Sequence, residues 1–397
     1  MANNTINRIR QNQILVFAFS QVLVLSVSRQ FIGPLIPLIS EELEVGLDFI
    51  GSAISLSVFA LFLVSISVGN LIELIGLKKV LYIGLGVSVA GSIMLYFSHS
   101  FPIFIVAYFL LQLGVGVLII GNLSIIGNLY STRRASSMIK VNMGNTIGFI
   151  IAPLIVSLML FIKIDWHNFY LFSLILLFAL VIFLLKLKVP KMVRVGSNLK
   201  TLFVANRRII SNTNFIMCGV IIFFYVSVMN TFFMWFTSYF QSIDIEIDIS
   251  SLFLAIYGAA LFIGMVLRSK LIKHFREKRI LLFSFIASFF LLVGILFMQD
   301  LIFKNILIFL FGVAIAGNFS ITFSIASELF PEYANSASGL MVAFANLGVM
   351  VFQYLSGYFS EYYSKNSILY INITILLVLI ILTSILNYHK KFNFFIK

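Results

Sequence analysis

The sequence predicts an all-α integral membrane protein, with twelve spanning helices in two pseudo-symmetric six-helix bundles. Three observations carry that reading. First, 61% of the 397 residues are hydrophobic and only 10% are Asp, Glu, Lys or Arg, which is more apolar side chain than a soluble domain can bury. Second, the few charges lie in short gaps between long apolar runs, and their sign alternates from gap to gap. Third, the second half of the chain repeats motifs of the first at a nearly constant offset.

The runs follow in order, each closed by a charged gap or turn. The first covers residues 13–39. Arg8 and Arg10 precede it, as in a signal peptide, but the run lacks a small-residue cleavage site, so it reads as an uncleaved helix. Glu41, Glu42, Glu44 and Asp48 close it, and the run 49–72 leads to Lys78 and Lys79. Runs at 80–97 and 102–129 return to Arg133, Arg134 and Lys140. Runs at 139–162 and 168–187 flank Asp165. The polar stretch 188–210 then carries basic residues, Pro190, Gly196 and Ser197, and no acid. In the second half, 211–240 ends before Asp244, Glu246 and Asp248, and 250–267 meets the basic gap from Arg268 to Arg279. The run 280–299 ends at Asp300. Runs at 305–329, 337–360 and 367–388 complete the set, with Glu361 between the last two and Lys390 and Lys391 after them. Each meets the about 17–25 residues that a spanning helix needs.

The alternation sets sidedness. All of the 27 basic residues except Arg29, Lys163, Lys304 and Lys365 fall in gaps on one side, which the positive-inside rule makes the cytoplasm. The expected protein is a multi-pass protein of a plasma (inner) membrane with both termini cytoplasmic. Its domains are an N-terminal bundle (1–188), a basic cytoplasmic linker (189–210) and a C-terminal bundle (211–397). The net charge of +13 follows from this topology and finds its partner in anionic lipid headgroups, so no nucleic-acid partner is expected. Cys218 is the sole cysteine, which excludes an internal disulfide and a cysteine metal site. His99, His167, His274 and His389 fall at run ends or in loops without metal-pair spacing, so no metal is expected. No phosphate-binding Gly-Lys-Ser/Thr loop is present, which speaks against ATP. No cofactor and no enzymatic activity are expected.

The repeat is specific. Gly-Asn-Leu-Ser-Ile at 121–125 recurs as Gly-Asn-Phe-Ser-Ile at 317–321, an offset of 196. Asn145 and Gly148 correspond to Asn346 and Gly348 at offsets of 201 and 200. Two related six-helix bundles are the architecture of many secondary transporters, with a solute site near the midplane.

The turn after the second run reads Gly69-Asn70-Leu71-Ile72-Glu73-Leu74-Ile75-Gly76-Leu77-Lys78-Lys79. It resembles the G-x-L-x-D-x-x-G-x-R-R loop of the major facilitator superfamily, with Glu73 for the Asp and Lys78 and Lys79 for the Arg pair. Gly69 and Gly76 suit a tight turn. Glu73 can bridge to cations or helix ends and so latch one conformation. A degraded copy lies in the second half at Ser269, Leu271, Lys273, Arg276, Lys278 and Arg279, where Lys273 replaces the acid. Gly144, Gly148, Ala152 and Pro153 resemble a weak form of the Gly-Pro motif of proton-antiporting exporters, and equally suit small-residue helix packing with a proline kink. The stretches 28–37 and 233–240 resemble first- and seventh-helix patterns of organic-anion branches, with Ser28 for an Asp and Thr237 for a Pro. The resemblance implies a monomer that moves a small-molecule solute by alternating access, with segments 1, 4, 7 and 10 lining the cavity.

Arg29 stands inside the first apolar run. A midspan arginine costs at least about 2.5 kcal/mol on insertion scales. An anionic solute can offset that cost, since guanidinium binds carboxylate or phosphate in a bidentate fork. The alternative is that Arg29 snorkels toward Glu41, Glu42 or Glu44. The segment-4 arginine usual in relatives is absent, and Gln112 is the most polar residue in that region. Ser227, Asn230, Met234, Thr237 and Gln241 share one helical face, flanked by Tyr225 and Trp235. The offset places Asn230 opposite Arg29 in the repeat. Cavity-lining segments add Asn122 and Asn318, and Asn346 and Gln353 share a face in segment 11. Glu73 and Glu328 are the nearest acids, both at segment ends, so uniport, exchange and a proton carried on the solute all stay open. Three functions follow: a transporter of a carboxylate- or phosphate-bearing solute, amino-acid-like zwitterions included; a proton-coupled multidrug or metabolite exporter; and a non-transporting sensor or channel, against which the repeat and the 69–79 turn argue.

Overall fold

The structure, a computed structural model, describes residues 2–129, 134–187, 207–272, 274–330 and 334–388. Among these residues the regular structure is helical, and twelve spans are long and apolar enough to cross a bilayer. The first half contains α1 (Ala2–Gln30), α2 (Ile32–Glu42), α3 (Leu47–Ile75), α4 (Leu77–Tyr96), α5 (Phe101–Leu129), α6 (Arg134–Phe161) and α7 (His167–Lys186). The second contains α8 (Thr213–Gln241), α9 (Ile247–Leu271), α10 (Glu277–Phe297), α11 (Leu301–Ile315), α12 (Asn318–Glu328), α13 (Ala334–Tyr362) and α14 (Ser367–Tyr388).

Two expected spans are interrupted. The first span is divided at Phe31 into α1 and α2. Pro34 and Pro37 have no N–H to give to the carbonyls four residues back, which weakens the helix just past this point. The tenth is divided at Ala316 and Gly317 into α11 and α12. Gly317 has φ +77°, a left-handed conformation that favours glycine. Several helices also outrun their apolar stretches. The run 250–267 sits inside α9, which continues to Leu271 and so includes Arg268.

Packing divides the chain into two compact units. Unit 1 is Met1–Gly46, Ala53–Val195 and Ile245–Ala255; unit 2 is Leu47–Ser52, Gly196–Asp244 and Ile256–Lys397. In unit 1, α4 runs along α5 and α7, and α1 runs along α6 and α7. In unit 2, α8 packs on α13, α14 and α12, and α10 packs on α11 and α14. The first residues of α3 belong to unit 2, where the Leu47 N–H donates to the Glu361 carboxylate at 2.8 Å.

Lipid tails are as apolar as Leu, so helices in a bilayer associate through close packing rather than water exclusion, and small residues set the seams. A Cβ built on Gly91 of α4 would lie 2.5 Å from the Leu111 nitrogen, and one on Gly114 of α5 would lie 2.4 Å from Ser88 Oγ. The repeat is visible in such seams. In unit 1 a Cβ on Gly148 of α6 would lie 2.2 Å from Ser26 Oγ of α1. In unit 2 a Cβ on Gly348 of α13 would lie 2.1 Å from the Phe223 carbonyl and 2.6 Å from Ser227 Oγ of α8. Gly116 faces Leu61 and Val64 in the same way that Gly312 faces Tyr257 and Ala260. Each residue of the second set lies 196 positions after its counterpart.

These seams predict a contrast between two glycines of α13. Gly348→Ala forces backbone against backbone and should destabilise the detergent-solubilised protein by about 1–3 kcal/mol. Gly339→Ala, where a Cβ meets nothing within 4 Å, should leave the melting temperature unchanged or raised. Thermal unfolding followed by size-exclusion chromatography measures both, and equal melting temperatures for the two variants would contradict the seam.

Candidate functional site

The interrupted helix ends of both units gather the polar side chains. In unit 1, Arg29 is the penultimate residue of α1, beside the break at Phe31. Its Nε is buried without a hydrogen-bond partner. Among the described residues the ion pairs are confined to Glu42, Asp165, His99 and His167, so Arg29 does not reach Glu41, Glu42 or Glu44. Its electrostatic neighbour is Tyr108 of α5. The Tyr108 hydroxyl accepts a hydrogen bond from Gln112 Nε2 at 2.8 Å, and Phe104 stacks parallel to its ring. Tyr170 of α7 lies within electrostatic range of Tyr108. The Tyr170 hydroxyl and Gln112 Oε1 are buried without a partner, as are Ser28 Oγ and Ser173 Oγ. Among the described residues, this cation forms no ion pair with a carboxylate, and several polar atoms of the same helices are left unused.

The structure therefore links two of the expected residues, Arg29 and Gln112, through Tyr108. Tyr108 and Tyr170 escaped the sequence reading. Tyr108 had a signal, because it precedes Gln112 by one helical turn and so shares its face. Tyr170 had none. Asn122 belongs to the seam between α1 and α5: its Nδ2 approaches the Ala18 carbonyl at 3.4 Å, and Gln21 Nε2 donates to the Leu118 carbonyl at 2.9 Å.

In unit 2, Arg268 is buried, although its place at the edge of an apolar run marked it as a loop residue. It caps the end of α11. Its Nε donates to the Ala316 carbonyl at 3.1 Å, and Nη2 donates to the Ala314 carbonyl at 2.6 Å and to Ser284 Oγ at 3.0 Å. Asn318 Nδ2 also donates to Ser284 Oγ, at 2.7 Å. On the other side of the break, the Tyr225 hydroxyl sits against the first backbone groups of α12, at Asn318 and Phe319. A cation thus meets the carbonyl end of α11, where the helix dipole is negative. Two expected binding residues, Tyr225 and Asn318, are engaged in holding this break.

The remaining residues of α8 and α13 divide by exposure. Trp235 is fully buried, and its Nε1 donates to Gln353 Oε1 at 2.7 Å. Thr237 and Met234 are buried as well. Asn230 is half-buried, with Nδ2 on the Val226 carbonyl of its own helix at 2.9 Å. Asn346 is also half-buried. The next hydroxyl, Thr231 Oγ1, ties α8 to Asn372 of α14 at 2.7 Å.

For the 69–79 turn, the side chains of Gly69 and Glu73 lie outside the described residues. Gly76 ends α3 with φ +89°. Lys78 Nζ donates to the Leu187 carbonyl at 3.0 Å, capping the end of α7 within unit 1. Lys79 is exposed.

Comparison with known proteins agrees with this architecture. The family model described as Major Facilitator Superfamily matches residues 18–344. A TsgA homolog protein of Buchnera aphidicola subsp. Schizaphis graminum is 24% identical over 286 residues, covering 71% of this chain and 72% of the relative. Its counterpart in the subspecies Baizongia pistaciae is 23% identical over 290 residues, covering 72% of each. Among solved structures, the nucleoside transporter NupG superposes with a TM-score of 0.78 at 15% identity, covering 95% of this chain and 99% of that one. A D-xylose-proton symporter gives 0.78 at 13% identity, covering 94% and 97%. These two likenesses concern the fold alone.

The capping role of Arg268 makes a ranked prediction. Arg268→Leu takes its donor from the Ala316 carbonyl and leaves the Ala314 carbonyl to Ser284 Oγ alone, and a buried group left unpaired costs about 1–3 kcal/mol. Ser284→Ala removes one shared partner and should destabilise less. Melting temperatures should fall in that order, and an Arg268→Leu protein as stable as the unsubstituted one would remove the cap from the account.

Proposed function

The chain belongs to the major facilitator superfamily, and we propose that it carries a small organic solute bearing a carboxylate or phosphate, amino-acid-like zwitterions included. Transport proceeds by alternating access of the two bundles in a plasma (inner) membrane, with both chain termini in the cytoplasm. The observation that carries the reading is Arg29, a cation inside a membrane span that forms no ion pair with a carboxylate among the described residues.

The physical argument is one of compensation. A guanidinium removed from water needs an anion or several acceptors. Arg268 has its acceptors in three backbone and hydroxyl oxygens. Arg29 is half-buried, its Nε has no partner, and its electrostatic neighbour is Tyr108. A solute carboxylate or phosphate supplies the missing charge. Gln112 and Tyr170 supply a buried amide oxygen and a hydroxyl for a hydroxyl or amino group beside the anion. The exporter alternative draws on Gly144 and Gly148, and these are accounted for by the seam of α6 with α1. The nucleoside and sugar named for the two solved transporters are uncharged, but at those identities they bear on fold and not on cargo.

The test compares wild type with Arg29→Gln in detergent, using thermal shift against anionic, zwitterionic, cationic and neutral metabolites. A ligand of the native state stabilises it by mass action, by about 2.7 kcal/mol at a hundred times its Kd, and so raises the melting temperature. Anions or zwitterions should stabilise wild type and bind the variant on the order of ten- to a hundredfold more weakly, the worth of a charge-assisted hydrogen bond. Without ligand, the variant should be at least as stable, since it loses an unpaired buried charge. Equal stabilisation of both proteins by cations or apolar compounds alone would make Arg29 structural and favour the exporter.

A further inference from the structure

At the end of unit 1 remote from Lys78 and Lys79, three side chains from distant parts of the sequence meet. Glu42 is the last residue of α2, His99 lies between α4 and α5, and His167 is the first residue of α7. Glu42 Oε1 is 3.6 Å from His99 Nδ1 and 3.7 Å from His167 Nε2. One ligand atom from each residue lies within 4.8 Å of the other two. Two of these spacings are too long for hydrogen bonds. They approach the distance between neighbouring ligands of a tetrahedral metal, about 3.3–3.4 Å for bonds of about 2.0–2.1 Å.

The surroundings orient each ligand. His167 Nδ1 lies 2.7 Å from Asp165 Oδ1, which also accepts from the His167 backbone N–H at 2.8 Å. The carboxylate accepts from Nδ1, so Nε2 is the ring nitrogen that faces the cluster and can serve as a ligand. That nitrogen meets only acceptors, the Ser98 carbonyl at 3.2 Å and the Glu42 carboxylate. Nε2 can meet these oxygens either as an N–H donor or through a metal ion that replaces that proton. Trp166 Nε1 donates to Glu42 Oε2 and thereby turns Oε1 toward the histidines. The Trp166 ring stacks on His167 at 3.8 Å, which holds the imidazole plane. His167 is buried, while the His99 side chain is 71% exposed and Glu42 37%. The cluster is therefore anchored on one side and open to solvent on the other.

We propose that Glu42, His99 and His167 bind a divalent transition metal, with Zn²⁺ the best match to two imidazoles and a carboxylate, and that Asp165 is the positioning residue for His167. Carboxylate–histidine–metal relays of this kind fix the tautomer and raise the basicity of the ligand. The fourth position is open to water or to a ligand from the outside. The ion clips the end of α2 to the α4–α5 and α6–α7 connections, three points of unit 1 with no covalent link near the site.

The test uses the purified full-length protein in detergent, stripped with a chelator, with Zn²⁺ titrated by calorimetry and Co²⁺ followed by its visible absorption. Wild type should bind one Zn²⁺ per chain, and Co²⁺ should develop the intense bands of a tetrahedral site. Asp165→Asn should weaken binding by about 10–100-fold, and Glu42→Gln, His99→Ala and His167→Ala should weaken it further. His274→Ala, at a histidine remote in sequence from the three, should bind as wild type. His99 is exposed, so its alanine variant folds and keeps the test decisive if His167→Ala does not. Absence of stoichiometric binding in wild type, or binding unchanged in Glu42→Gln and His99→Ala, overturns the proposal.

Discussion

In hydrocarbon, a backbone N–H or C=O without a partner costs several kcal/mol, so any interruption of a spanning helix must be satisfied by something nearby. Much of this structure follows from that constraint. The tenth span is broken at Ala316 and Gly317, and Arg268, Ser284, Asn318 and Tyr225 converge on the freed groups. The seams of small residues bring the helices close enough for such side chains to reach: Gly264 of α9 lies against Val313 and Ala316, next to the break itself. The polar groups, the close packing and the conformational irregularity are one arrangement.

The same constraint separates Arg268, which is buried, from Arg29, which is half-buried. Arg268 sits where carbonyls have been released, and its charge is spent on them. Arg29 also sits beside an irregular point, between α1 and the prolines of α2, yet it forms no comparable set of bonds among the described residues. The contrast between two arginines in one chain therefore speaks more clearly than the burial of either alone. It also shows why a count of intramembrane charges is a weak guide to a binding site.

Much of the fold was legible because hydropathy and charge sign are local. The spans, the paired seams at Gly148 and Gly348 and the glycine turn at Gly76 all rest on residues within one helix or one repeat. The site was legible only where a helical period joined residues, as with Tyr108 and Gln112. Arg268 was misplaced because apolar composition ends before the helix does. The cluster of Glu42, His99 and His167 left no trace in spacing, since its members come from three separate connections that only packing brings together. Tyr225 and Asn318 have the chemistry of binding residues, and the sequence held no sign that a helix break would engage them.

The repeated pentapeptide carries a wider lesson. Residues 121–125 lie within the unbroken helix α5, whereas residues 317–321 begin with a left-handed glycine and open a new helix. Four of the five letters are identical. At the offset of 196, the residue matching Arg268 is Ile72, an aliphatic side chain with nothing to offer a released carbonyl. Two nearly identical words therefore have different backbones, and the one that opens a new helix has Arg268 at its break. The duplicated halves form a controlled experiment within one molecule, with local sequence held constant and environment varied. Its outcome is that conformation here is a property of the pair, the segment and the partner that receives it, so divergence after duplication can reshape a helix while leaving four of five letters of the segment in place.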